Sequence, residues 1–319
     1  MRFALSTNWN ARRHTSGGAL VDEVLDLGFD ALELGYNTHE ALVNEIIHCA
    51  EQGRIVVESV HNTCPMPISA PQGSPELYLM ASLDEDERAM AGIMLKRTLD
   101  VAQRAGARAV VVHAGRIAMR RWFRPVSCAV LHDHLEATHG DCHALVYQQM
   151  LERFRLLRAK HVGSHMDCFC QSLEKILPAF AAAGIAICFE NLPSFEAFPD
   201  AMEMEAIQQK FAGAPMGYWH DLGHGQLREW MGLESHVDTA KKLLPITRGV
   251  HIHDALPVSH DHLAPGQGKI DFPALQFFAT APVIKVCEPS AEVSAEQVRA
   301  GLEHMRTVWQ GEAETTALR

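Results

Sequence analysis

The sequence has few features that favour binding to a membrane or to a nucleic acid. No apolar run approaches the ~18 residues that a membrane-spanning helix requires. Positive charge is in deficit, because 28 Lys and Arg stand against 39 Asp and Glu and give a formal net charge of −11. Polyanions and acidic lipid surfaces attract proteins through a positive footprint, so this balance disfavours broad nonspecific binding to either. We therefore expect no membrane association and consider nucleic acid an unlikely partner.

The chain also lacks the features of a secreted protein. Its first residues, MRFALSTN, are too few and too polar for a signal peptide. The eight cysteines do not have the short, dense spacing of a disulfide framework. We expect a cytoplasmic protein with reduced thiols. With 319 residues, of which 47% are hydrophobic, it can bury a large core in two domains or in one barrel.

Eight short apolar segments indicate β-strands. They cover residues 3–6, 31–35, 55–60, 108–112, 185–189, a stretch that leads to Asp221, 246–253 and 283–287. Near-continuous apolar strands are typical of parallel sheets that are covered on both faces. With helical patterns between the strands, the sequence predicts a (β/α)₈ TIM barrel in a single domain over residues 1–319.

Helical spacing fills most connections between these strands. Residues 17–27 place Leu20, Val24 and Leu27 on one face. A capping box over residues 82–85 opens a helix that runs to about Ala105. Further helices are predicted over residues 38–52 and 295–309.

The connection after the fourth strand is longer than such connections normally are. It contains a His- and Cys-rich loop and a helix around residues 147–160, and another helix follows at about 166–183. We interpret residues 116–163 as an insertion over the C-terminal face of the barrel that narrows the substrate range.

Polar side chains stand where the predicted strands end. They are His61, His113, Glu190, Asp221, His251 and Glu288. In a TIM barrel the C-terminal ends of all strands meet around one axis, where the active site lies. Buried charges cost several kcal/mol each unless they are paired or bound to a metal. Carboxylate oxygen and imidazole nitrogen are suitable ligands for Zn²⁺, Mn²⁺ or Fe²⁺, so the set predicts a divalent-metal site.

These motifs, in this order, resemble the xylose-isomerase-like TIM barrel superfamily, which includes sugar isomerases and epimerases and the apurinic-site endonucleases. The motifs are Val60-His61-Asn62, His113-Ala114-Gly115, Glu190-Asn191, Asp221-Leu222-Gly223-His224, His251-Ile252-His253-Asp254, the segment 262–272 and Glu288-Pro289. The resemblance implies one shared ion, held by Glu190, Asp221, His251 and Glu288.

The endonuclease branch of that superfamily holds further ions. The resemblance implies that His61, His113 and His224 would take part in such a cluster here. An Asp-x-His motif completes it in that branch, whereas this chain has His260-Asp261-His262, with His260 in the place of the Asp. We therefore expect one to three divalent ions, with His260 and His262 as further candidate ligands.

Two classes of reaction fit this site. In the first, a metal-dependent isomerase or epimerase of a sugar or related polyol, Glu190 and Glu288 flank a hydroxyketone and transfer protons through a metal-stabilised enediolate. A sugar dehydratase or lyase uses the same opening step. In the second, a multinuclear hydrolase such as a phosphodiesterase, ions ~3.5–4 Å apart activate a water. The additional histidines favour the hydrolase, and the acidic balance counts against a DNA substrate.

Other residues are weaker candidates. Arg116 follows His113 and could bind a phosphate or carboxylate, with Arg120, Arg121 and Arg124, unless the loop is only a solvated basic segment. His253 and Trp219 are candidate substrate contacts, although Trp219 equally suits packing inside the barrel. A separate zinc site could form from His132, His134, His139, Cys142, His143, Cys168 and Cys170, whose spacings match no standard zinc module. We expect a small sugar-like substrate, and a homo-oligomer is compatible with the sequence.

Overall fold

The computed structural model describes residues 1–121, 124–125 and 127–310, and its centre is a closed barrel of eight parallel strands. Each strand pairs with its neighbours in chain order, and the first pairs with the eighth. The strands are β1 (Ala4–Ser6), β2 (Ala31–Leu34), β3 (Val56–His61), β4 (Ala109–Val112), β5 (Ala186–Glu190), β6 (Met216–Asp221), β7 (Thr247–Ile252) and β8 (Ile284–Cys287). The predicted TIM barrel is confirmed.

Helices cover the outside of the barrel between the strands. They are α1 (Gly17–Asp26), α2 (Glu40–Glu51), α3 (Glu85–Ala105), α4 (Ala129–Ala137), α5 (Leu145–Ala183), α6 (Ala201–Lys210), α7 (Leu222–Trp230), α8 (His236–Leu243), α9 (Phe277–Thr280) and α10 (Ala295–Gln310). Short antiparallel pairs lie beyond the strand ends, among them Asp254–Leu256 with His260–Leu263. No helix in the described ranges has the length and apolar character needed to cross a bilayer.

Two local predictions were wrong. Two helices were expected between residues 147 and 183, but α5 is one continuous helix of 39 residues. Gly163 costs a helix only about 1 kcal/mol, and buried side chains on both sides of it, including Phe154 and Phe169, hold the helix in place. The cap of α3 is Asp84 rather than Ser82, because the Asp84 carboxylate accepts from the backbone N–H groups of Asp86 and Glu87.

The inside of the barrel is filled in layers. Side chains alternate between inside and outside along each strand, and Trp219 of β6 lies in an inner apolar cluster with small residues such as Ala4, Ala31 and Ala109. The next inward position along β6 is Asp221. The apolar layer therefore forms a floor beneath the polar strand ends.

Two buried histidines pack outside the barrel against α7. The Nε2 atoms of His220 and His236 are 3.0 Å apart, and the Nδ1 of His220 lies 3.2 Å from the Tyr218 hydroxyl. Burial lowers the pKa of His236 to about 4 and holds the pKa of His220 well below its usual value. Both imidazoles are therefore neutral in the folded protein at neutral pH.

Replacing Gly249 should destabilise the barrel strongly. Gly249 of β7 pairs with Trp219, and a Cβ atom at this position would overlap the rigid indole ring. We expect Gly249→Ala to lower the free energy of unfolding by about 3 kcal/mol or more. The matched control is Gly92→Ala in α3, where a Cβ meets nothing within 4 Å. This change should raise the free energy of unfolding by about 0.5–1 kcal/mol. Equal urea midpoints for the two variants would contradict this account of the floor.

Acidification should weaken the fold partly through His236. Its folded pKa of about 4 lies below the unfolded value of about 6.5, so its contribution is complete above pH ~6.5 and is lost as the pH falls towards 4. At pH 5 the loss is about 2 kcal/mol for such a histidine. Urea unfolding at pH 7.5 and pH 5 should show a smaller pH effect for His236→Gln than for the parent protein. The same loss in both would exclude His236 as the cause.

Candidate metal centre

Four buried side chains from consecutive strands meet above the Trp219 floor. Ligand atoms of Glu190, Asp221, His251 and Glu288 all lie within 4.8 Å of one another. His251 Nδ1 is 3.0 Å from Glu190 Oε1, 3.2 Å from Glu288 Oε2 and 3.8 Å from an Asp221 oxygen. Asp221 also caps α7 by accepting from the His224 N–H, so the strand-to-helix junction fixes its direction. We call this group of four the central site.

A second group shares Glu190 with the central site. The Nε2 atoms of His61 and His113 both lie 3.1 Å from Glu190 Oε2. The Nδ1 of His61 lies 3.0 Å from the Asn62 carbonyl, which can only accept, so Nδ1 donates to it. A cation between Nε2 and the Glu190 oxygen, either a proton or a metal ion, would satisfy both atoms. Glu190 is therefore placed to bridge two cation positions, one at each of its oxygens.

Glu33, on β2, was missed by the sequence analysis. It is completely buried, and it accepts from Ser59 Oγ at 2.7 Å and from His251 Nε2 at 3.2 Å. In the neutral ring this contact would place the proton on Nε2 and leave the Nδ1 lone pair for a metal ion at the central site. The signal that could have found Glu33 is an ionisable residue inside an otherwise apolar strand, in the inward register.

A third group contains His224, His253 and His262. The Nδ1 atoms of His224 and His262 donate to the carbonyls of Asn191 and Glu288, both at 2.9 Å, so both Nε2 atoms are free to bind a cation. His253 differs from them. Its Nδ1 accepts from the His262 backbone N–H, and its Nε2 donates to the Asp221 carboxylate at 2.9 Å. His253 thus orients Asp221 rather than facing the pocket, where it was expected as a substrate contact.

The structure separates His260 from these groups. His260 is exposed and belongs to none of the groups found among the described residues. Its neighbour Asp261 lies closer, with a carboxylate oxygen 3.8 Å from His224 Nε2. The antiparallel turn therefore offers Asp261 where the sequence numbering favoured His260.

The carboxylates and imidazoles of the site stabilise each other's charged forms. Burial alone would lower the pKa of His113, but the Glu190 carboxylate raises it to about 9. Burial likewise opposes the charged form of His251, yet Glu288 and its neighbouring carboxylates raise that pKa well above its usual value. Burial would raise the pKa values of Glu190 and Asp221, whereas nearby imidazoles hold both below the usual range.

The donor set fits divalent ions. Carboxylate oxygens and imidazole lone pairs converge, and the second nitrogen of His61, His224, His251 and His262 is fixed on an acceptor, as is usual for metal-bound histidines. Mn²⁺, Fe²⁺ and Zn²⁺ all accept such ligands. Ion binding would displace protons from the imidazoles, so affinity should rise with pH.

The other residues predicted to bind substrate do not line the central site. Trp219 is fully buried in the floor, 5.2 Å from His251 between ring centroids. The Arg116 guanidinium donates to Glu76 at 2.8 Å and lies 3.7 Å from Glu196, so carboxylates of the protein already neutralise it. The side chains of Arg120, Arg121 and Arg124 lie outside what the structure describes.

The separate zinc site does not assemble among the described side chains. None of the groups of three or more potential ligands includes His132, His134, His139, Cys142, His143, Cys168 or Cys170. The histidine and cysteine side chains of this region are spread along α4, the following loop and α5, and helical and loop segments of this length do not bring them to one point.

A polar pocket of about 210 Å³ opens beside the central site. Its lining includes Glu288 and His262 and also Arg12, Tyr36 and Asn37. The pocket gives a small molecule access to Glu288 without contact with the floor. Arg12 and Tyr36 were not among the sequence candidates, because they follow β1 and β2 in loops with no recognisable motif.

Comparisons with known proteins agree with the barrel fold. Residues 21–308 match the protein family described as "Xylose isomerase-like TIM barrel". A D-tagatose 3-epimerase-like protein superposes with a TM-score of 0.70 and 16% identity, covering 99% of this chain and 100% of its own. The 3-keto-D-glucoside 4-epimerase of E. coli superposes with a TM-score of 0.67 and 16% identity, covering 96% of this chain and 99% of its own. A D-psicose 3-epimerase superposes with a TM-score of 0.66 and 15% identity, covering 97% of this chain and 99% of its own. No curated protein sequence matches the chain.

Neutralising Glu33 should weaken metal binding at the central site. Glu33→Gln keeps an acceptor for His251 but removes the charge that increases the basicity of the ring, so we expect about 10–100-fold weaker metal affinity. The measurement is competition with a chromophoric chelator, with circular dichroism to verify the fold. Glu58→Gln is the control, because Glu58 is also buried but pairs with Arg108 outside the barrel. Unchanged affinity in Glu33→Gln would remove Glu33 from the site.

Proposed function

Because the chain belongs to the xylose isomerase-like TIM barrel family, we propose that it is a divalent-metal-dependent isomerase or epimerase of a small sugar or related polyol. The observation that carries this proposal is the position of Glu288. It is a buried carboxylate of the central site and also a wall of the neighbouring pocket. A carboxylate that borders both the cation position and the substrate space is placed for proton transfer.

The surroundings of Glu288 suit a proton-transfer group. Its Oε1 accepts from Asn8 Nδ2 at 3.0 Å and from Ser6 Oγ at 3.3 Å, which fixes the carboxylate direction. Nearby imidazoles, His251 above all, outweigh burial and lower its pKa, so it is ionised and can accept a proton. A bound divalent ion would supply the positive charge that makes a carbon next to a carbonyl more acidic. Glu190, whose Oε1 lies 3.0 Å from the same His251 Nδ1, is the candidate for the second proton transfer.

The size of the pocket and the structural neighbours support a sugar-sized substrate. A space of about 210 Å³ is suited to a five- or six-carbon molecule. The three neighbours named above are described as epimerases or epimerase-like proteins of small sugars. Amide, carboxylate and hydroxyl groups in the pocket wall suit a hydroxyl-rich ligand.

A multinuclear hydrolase is the second candidate, and one specific observation favours it. His61 and His113 both direct Nε2 at the Glu190 oxygen that faces away from His251. A one-metal epimerase has no need of this second cation position, whereas a hydrolase would use a carboxylate-bridged pair of ions to activate water. The net charge of −11 disfavours a long polyanionic substrate.

We further propose that residues 116–163 form a cover on one side of the barrel mouth. In support of this, Tyr147 donates to the Met231 carbonyl at the end of α7, and the Cys128 N–H donates to Glu196 beyond β5. These contacts attach the segment to the loops that follow β5 and β6. Such a cover would restrict the size of substrates.

The reaction class can be tested by isotope exchange. The Mn²⁺-loaded protein, incubated with ketoses in D₂O, should introduce deuterium at the carbon next to the carbonyl. Glu288→Gln should lower this rate by at least about 100-fold with the fold intact, since it removes the base. Glu292→Gln, the same change at an exposed position four residues later, should leave the rate unchanged.

Two parallel measurements distinguish the proposed isomerase from the hydrolase. Metal analysis of the purified protein should give about one ion per chain for the isomerase, and two or three for the hydrolase. Cleavage of an oligonucleotide that contains an abasic site, without deuterium exchange into any ketose, would overturn the proposed reaction in favour of hydrolysis.

A further inference from the structure

Arg12 is the arginine that lines the pocket at the mouth of the barrel. It lies in the short 3₁₀ turn Ala11–Arg13 directly after β1, at the same end of the barrel as the central site. Its side chain lines the same pocket as Glu288 and His262. A guanidinium and the proposed base therefore border one substrate-sized space.

Arg12 makes no ion pair within 4.0 Å with any carboxylate in the described part of the chain. Its neighbour Arg13 pairs with Glu23 at 2.8 Å and stacks on the Trp9 ring at 3.8 Å. Arg116, the arginine that the sequence favoured for substrate binding, is held by Glu76. Of these three arginines, Arg12 alone keeps its charge available to a ligand.

Neutral groups position the Arg12 side chain. Its Nη2 donates to Asn37 Oδ1 at 3.0 Å, and the Asn37 backbone N–H donates to Asn8 Oδ1 at 3.2 Å. Asn8 in turn donates to Glu288. This chain of amides orients the guanidinium relative to Glu288 but does not neutralise it, and four of its five N–H donors remain for a ligand.

We propose that Arg12 forms an anion-binding subsite, so that the substrate is a sugar derivative with a carboxylate or phosphate at the end away from the reacting carbonyl. This inference rests on the proposed function for the meaning of the pocket. A planar guanidinium binds either group through two parallel hydrogen bonds. A local cation is also what an anionic substrate needs in a protein of net charge −11, whose field otherwise repels it.

The first experiment compares substrates that differ only in charge. Deuterium exchange by the Mn²⁺-loaded protein is measured with D-fructose, D-fructose 6-phosphate and D-fructuronate. We expect kcat/KM to be at least ten-fold higher for the phosphate or the carboxylate than for the neutral sugar, which also identifies the anion. Arg12→Gln should abolish the preference mainly through KM, and Arg12→Lys should keep part of it. Arg13→Gln, the same charge change one residue later, should keep all of it.

The second experiment needs no turnover. Calorimetric titration of the same protein with D-sorbitol, D-sorbitol 6-phosphate and D-gluconate reports binding alone. Tighter binding of one anion that is lost in Arg12→Gln and kept in Arg13→Gln supports the subsite, even if no ketose exchanges deuterium and the proposed reaction falls. Anion binding that persists in Arg12→Gln, or equal affinity for all three compounds, overturns the subsite even if exchange is observed.

Discussion

The buried Glu190 carboxylate is the group on which the arrangement of the site depends. One of its oxygens faces His61 and His113, and the other faces His251. Such a carboxylate, removed from water at the end of a barrel strand, is costly unless it is paired with positive charge and hydrogen-bonded. Fixed acceptors orient His61 and His251 beside it, so the cost of orienting these two rings is met during folding and not when an ion binds.

Most of these orienting acceptors are backbone carbonyls or residues next to the ligands themselves. Asn62 follows His61 and accepts from it, while the carbonyl of Glu288 accepts from His262. Asp221 is both a side chain of the central site and the cap of α7. The orientation of the site therefore depends on the backbone at the strand ends, and a change that loosens this backbone would also loosen the site.

The sequence predicts the barrel and the convergence of the strand ends well, because both follow from local pattern. Apolar runs that end in Glu, Asp or His predict where the side chains of β5 to β8 meet. The local pattern does not identify Glu33, because its contacts with Ser59 of β3 and with His251 depend on how the strands align in the folded barrel. Arg116 misleads for a related reason: its counter-charge, Glu76, lies 40 residues away in the chain and reaches it only in the folded protein.

The continuous helix α5 gives the barrel mouth an asymmetry. At 1.5 Å per residue its 39 residues extend about 58 Å, far longer than any barrel strand. Its first half, with α4, is fastened to the ends of β5 and β6, whereas the pocket is bounded by segments that follow β1, β2 and β8. These two arcs lie on opposite sides of the closed sheet. If the proposed function holds, a substrate would approach from the β1 side and would contact Arg12 before it reached the central site, so its charge would be recognised before it reacted.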